Sequence, residues 1–174
     1  MASALSRTSS PIQISAFVSE TLPDTFASTE IDLTLNALDQ EVFVVTQVNI
    51  DCDAPDGSSN IGVYQTNASL STTRRTTVGG MGNSNVIASA RNTIVTNAAV
   101  GGEFSTCSFS REDPVFAPTS EDYIGIIATN NAFLNMQGQG NLNPKGTQVR
   151  IYGYRAKASS SVYAALVQSE LLSA

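Results

Sequence analysis

Asp51-Cys52-Asp53-Ala54-Pro55-Asp56-Gly57 sets three carboxylates within six residues and closes on Asp-Gly. Hard cations such as calcium take several oxygen ligands, and an Asp-x-Asp turn can converge them. Asp51, Asp53 and Asp56 are therefore the candidate ligands of a structural calcium ion. The EF-hand loop is a poor match, because Gly62 stands where its closing acid should be and Pro55 has no place in it. An acidic β-turn at a strand end accounts for the same residues and is the reading the spacing favours.

Arg74-Arg75 is the only adjacent basic pair. Two guanidinium groups in a threonine-rich loop suit a phosphate or a neighbouring subunit's carboxylates. A pair without interleaved aromatic residues is too small a patch for nucleic acid. Gly79-Gly80-Met81-Gly82 and Gly138-Gln139-Gly140 fit neither the dinucleotide nor the phosphate-loop pattern and read as flexible loops. Glu112-Asp113 and Glu121-Asp122 are acid pairs, but adjacent acids on a strand point to opposite faces. Glycoside hydrolysis instead wants two carboxylates about 5–9.5 Å apart across a cleft. With aromatics at 7% and no tryptophan, a sugar-stacking platform is thinly supplied. Tyr64, Tyr152 and Tyr154 are the residues it would have to use. Asn67-Ala68-Ser69 fits a glycosylation sequon, read as chance because no secretory signal precedes it.

What is missing from the composition is as informative. There is no histidine, which removes the Ser-His-Asp and Cys-His nucleophiles, His-ligated zinc and the usual neutral-pH general base. Cys52 and Cys107 are 55 positions apart, with no third thiol to build a zinc site. Both are expected to be buried as small apolar residues, and spacing leaves a bridge between them open. Nine Lys and Arg against fifteen Asp and Glu give a net charge of -6, the wrong sign for gripping phosphates. The charge is also uneven. Residues 1–73 hold nine acids and one base (net -8), and residues 74–174 six acids and eight bases (net +2). One half of the chain can attract the other half of a neighbouring copy.

The elements that position these residues are mostly strands. The 174 residues suffice for one domain with a full core, without a disulfide or metal. No apolar run approaches the ~18–20 residues of a membrane helix. Residues 1–11 are small and polar and read as a flexible arm. Residues 12–158 hold about eight strand-like segments separated by turns. The strongest, Glu41–Asp51, is β-branched and alternating, with Val44, Thr46, Val48 and Ile50 on one face. Gln137–Gly146 is a Gly/Asn-rich loop. Gln148–Ala156 alternates again, with Val149, Ile151 and Gly153 on one face and Arg150, Tyr152 and Tyr154 on the other. Residues 159–174 change to helical period, with a stripe of Val162, Ala165, Leu166, Ser169 and Leu172. The pattern is that of an all-β sandwich or barrel, and it is read as an antiparallel β-sandwich with a short C-terminal helix.

The order of these parts resembles the single jelly-roll capsid proteins of viruses that infect prokaryotes. Three stretches carry the likeness. Phe26–Leu35 followed by Val42–Ile50 is similar to the family's first core strands. Tyr123–Asn131 is similar to its late strand with a polar turn. Val149–Arg155 with the helix to Leu172 is similar to its closing strand and C-terminal helix. The resemblance implies a jelly roll and a non-enzymatic role as major coat subunit. Copies would assemble with one another and with other capsid proteins into an icosahedral shell, located in the virion. Contacts would run through the arm (Ser3 to Pro11), the loops and the helix. Arg74, Arg75, Val162, Leu166 and Leu172 are the expected contact residues, and no cofactor is expected beyond structural calcium. Many arms of this family are basic, whereas this one holds Arg7 alone. Strong direct nucleic-acid binding is therefore not expected, and an inner membrane or internal protein layer would suit such a shell. The residues alone leave two alternatives: a carbohydrate-binding or adhesive β-sandwich module, and a phage decoration protein.

Overall fold

The computed structural model describes residues 5–57, 61–98, 104–111, 115–117 and 123–172. Their strands are β1 (Leu5–Arg7), β2 (Ile12–Ser19), β3 (Ala27–Asp32), β4 (Glu41–Cys52), β5 (Gly62–Ser71), β6 (Val86–Ala98), β7 (Phe104–Arg111), β8 (Val115–Phe116), β9 (Gly125–Ile127), β10 (Asn131–Gln139) and β11 (Gly146–Ala158), followed by the helix α1 (Ser160–Leu172). The antiparallel pairs are nested. β2 takes β11, β3 takes β10, β4 takes β9 and β8, and β5 takes β6. That is one long hairpin rolled upon itself. The pairs β11–β4 and β10–β5 then join the rolled layers into two sheets. This is the all-β sandwich the sequence pattern predicts, with the nested pairing of the jelly roll that the resemblance implies.

The first sheet has β2 and β1 along one edge of β11, then β4, then β9 and β8. The second runs β3-β10-β5-β6-β7. More strands form than the eight expected because β1 arises in the arm, β7 widens the second sheet, and the sixth rolled strand is in two pieces, β8 and β9. Period-2 alternation fills the space between the sheets. Ile12, Ile14, Ala16 and Val18 of β2 and Val149 and Ile151 of β11 meet Ala68 and Leu70 of β5 and Leu134 and Met136 of β10.

β4 departs from its expected alternation at Thr46. Tyr152 pairs with Gln47 and Gly153 with Val45, so Thr46 is an extra residue, a β-bulge. Its hydroxyl donates to the Tyr152 carbonyl at 3.1 Å. Phe43 and Val45 thereby join Val48 and Ile50 in the main core, while Val42 and Val44 turn to the opposite face. Gly153 permits this, because a Cβ there would lie 2.3 Å from the Val44 carbonyl oxygen and 2.6 Å from Phe43 Cε1.

The face carrying Val42 and Val44 is covered by α1. Val162, Tyr163, Leu166 and Val167 pack on Val42, Val44, Ala156 and Ala158, with Leu5 of β1 alongside. The expected stripe is thus rotated. Ala165 and Ser169 are exposed, and Leu172 is 80% exposed. Glu170 is the buried residue of the last turn instead. Its two carboxylate oxygens accept the Ala128 and Thr129 amides at 2.8 and 3.0 Å. These amides follow β9, and a charged acceptor seals the strand end more effectively than a leucine could.

The described part of the arm is likewise a strand rather than a flexible tail. Leu5–Arg7 pairs with Ala156–Ala158, Arg7 stacks 4.5 Å from the Tyr154 ring centroid, and the Thr8 amide donates to the Arg155 carbonyl. Residues 1–4 lie outside the described residues. Cys52 is buried as expected. Cys107 is exposed, since β7 is an edge strand, and no disulfide joins the two.

Candidate functional site

The acidic turn after β4 faces the loop between β10 and β11. Asp53 accepts the Gly146 amide at 2.7 Å. Asp56 accepts the Leu142 and Asn143 amides at 3.0 and 2.9 Å and the Lys145 ammonium at 2.5 Å. Two further acids, from the β2–β3 turn, join them. Buried Glu20 takes the Gly138 and Lys145 amides at 2.6 and 3.0 Å, and Asp24 takes those of Gly140 and Asn141 at 2.7 and 3.0 Å. Asp24, at φ 60, and Gly140, at φ 75, lie in the left-handed region. The loop has no strand partner for its N–H groups, so carboxylates supply the acceptors.

The three expected calcium ligands are therefore employed separately. Asp51 accepts the Gln148 side-chain amide at 2.9 Å. Asp53 and Asp56 hold amides and an ammonium. Among the described residues no group of three or more such side chains is gathered for a metal. The Lys145 ammonium, then the Asn143 and Leu142 amides, hold the Asp56 carboxyl below its ordinary range. Glu20 and Asp24 escaped the sequence reading. Their signal was indirect: a Gly/Asn-rich loop whose amides need acceptors. The same contacts show that Gly138-Gln139-Gly140 is fastened rather than loose.

Arg74 and Arg75 diverge. Arg74 lies 3.5 Å from Glu30 and stacks over Phe133. Arg75 folds into its own loop, donating to the Asn85 side-chain oxygen at 2.8 Å and to the Thr77 carbonyl. Val162 and Leu166 pack on the chain's own sheet, while Leu172 is free on the surface. Tyr64 is buried at 8% exposure, and Tyr152 and Tyr154 are half-buried on the outer face of the first sheet, so the three form no common platform. Glu112, Asp113, Glu121 and Asp122 lie outside the described residues.

The outer face of the second sheet carries a polar groove. It has a volume of about 550 Å³ and lies between the strands and the loop of residues 77–81. Gln65, Asn67, Arg91, Arg111 and Gln137 line it. The overlying loop is fixed by the Gly79 amide, which donates to Ser69 Oγ at 3.2 Å.

No protein-family model matches the chain, and no curated protein matches it significantly. Fold and side-chain geometry therefore carry the functional reading.

Proposed function

We propose that the chain is the coat subunit of a virus shell, a single jelly roll that tiles with copies of itself. The observation that carries this is the nested strand pairing, in the order and with the closing helix that the sequence resemblance implies. Three further features support it. The ionisable groups brought together at the β10–β11 end serve to fix a loop, as a scaffold requires. Large apolar side chains stand exposed at separate places, including Phe17 on β2, Phe116 on β8, Leu142 and Leu172. Such residues suit several modest, symmetry-related contacts. The acidic first half and mildly basic second half supply charge complementarity between copies.

On this reading the partners are other copies and other capsid proteins, within the virion. The acidic chain makes no strong direct grip on nucleic acid, and an inner membrane or protein layer lies beneath the shell. The subunit performs no catalysis and binds no cofactor. Multi-angle light scattering over a range of protein concentrations tests the reading. Defined higher-order species that grow with concentration are expected, and a strict monomer throughout would contradict it.

A further inference from the structure

We propose that the groove on the outer face of the second sheet binds an acidic sugar, a hydroxyl-bearing ring with one carboxylate. The inference goes beyond the shell reading and does not depend on assembly. Strand alternation sets the floor, bringing Gln65 and Asn67 of β5, Arg91 of β6, Arg111 of β7 and Gln137 of β10 to one surface. The roof is tied to the floor by the Gly79 amide, which donates to Ser69 Oγ at 3.2 Å. A Cβ at Gly79 would lie 2.5 Å from Val86 Cγ2 and 2.9 Å from Arg75 Nε, so a side chain there would force both to shift. The resulting volume of about 550 Å³ is that of a small-molecule site.

The charge arrangement points to the ligand. Arg91 and Arg111 are direct cross-strand partners on β6 and β7. Like charges so placed destabilise a sheet. Among the described residues the ion pairs are Arg74 with Glu30 and Lys145 with Asp56, so neither groove arginine has a carboxylate partner there. Arg91 is nevertheless held in place, its Nε donating to Asn67 Oδ1 at 2.7 Å. That leaves its terminal nitrogens for a ligand, in the fork that matches a planar carboxylate. The side-chain amides of Gln65 and Gln137 can both donate and accept, as sugar hydroxyls do. Arg111 Nη2 rests on the Met81 sulfur, which places the second guanidinium at the groove wall. The rest of the Met81 side chain, 59% exposed there, offers a soft apolar contact for the ring's C–H face.

Saturation-transfer NMR of the whole protein with sodium glucuronate, glucose and sodium sulfate tests this, with sulfate used as a competitor. Glucuronate should receive saturation, and glucose should bind at least about tenfold more weakly. Arg91→Gln and Arg111→Gln should each weaken glucuronate binding by about tenfold or more. Both should leave the melting temperature unchanged or raised, because a repulsion is removed. Arg150→Gln, on the other sheet, should bind as the parent does. Absence of glucuronate binding, equal binding of glucose, or displacement of glucuronate by an equal concentration of sulfate would each overturn the proposal.

Discussion

Asp56 joins three parts of the chain: the turn after β4 that carries it, the amides of Leu142 and Asn143, and the ammonium of Lys145. Its carboxyl titrates below the ordinary 3.8. A carboxyl with a lowered folded-state pKa contributes stability that is complete above its unfolded value and is lost as pH falls through the lowered one. Asp56→Asn should therefore lower stability at pH 7 by about 1.5–3 kcal/mol, the worth of hydrogen bonds to a charged acceptor. The difference from the parent should shrink below about pH 4. Urea unfolding at pH 7 and pH 3 checks both. Gly153→Ala tests the contact opposite the bulge. With the Val44 carbonyl at 2.3 Å from the new Cβ, overpacking should cost about 1–3 kcal/mol, seen as a lower melting temperature. At this scale the sequence was partly legible. Asp53 and Asp56 stood out as a cluster, but a cluster of acids reads alike whether it meets a cation or a row of backbone amides. Only the fold brings residues 138–146 across to them. Glu20 and Asp24 carried no motif because their partners are more than a hundred residues away.

The strands were the most legible elements. Alternation and β-branching marked β4 and β11, since half-buried strands must repeat at period 2. β10 (Asn131–Gln139) holds no β-branched residue, and its end, Gln137–Gln139, read as the start of a Gly/Asn-rich loop although it is strand. The bulge at Thr46 was hidden, because a run of apolar residues shows no parity to lose. Val42 and Val44 look like core residues whichever face they occupy. The helix was legible as a helix but not in its orientation. Small residues gave its surface little contrast, and the buried position is filled by Glu170, which a hydrophobic stripe passes over. Glu170→Gln keeps one acceptor and loses the other, leaving a buried amide short of a partner. It should cost about 1–3 kcal/mol in thermal or urea unfolding. If α1 seals the sheet as its packing indicates, truncation after residue 159 should cost more and expose apolar surface to a dye such as ANS, because Val42 and Val44 lose their cover. Within the arm, Leu5–Arg7 forms a strand for a related reason. Small polar residues form a strand readily when a neighbouring edge offers hydrogen bonds, and β11 offers one.

At the scale of the whole molecule the rolled hairpin leaves an outer face on each sheet, the first apolar where α1 covers it, and loops at both ends. None of these surfaces carries a sequence motif, so the step from fold to coat subunit rests on strand order and resemblance. The charge asymmetry gives that step a physical handle. Attraction between an acidic and a basic region of neighbouring copies is screened over about 8 Å at physiological salt. Self-association should therefore weaken as sodium chloride rises from 50 mM to 500 mM, a trend light scattering can follow. Negative-stain electron microscopy of the concentrated, purified chain at low salt tests the central claim most directly. Closed particles, rings or regular sheets built from one repeating unit are predicted, whereas a field of separate molecules of about 18 kDa would contradict it.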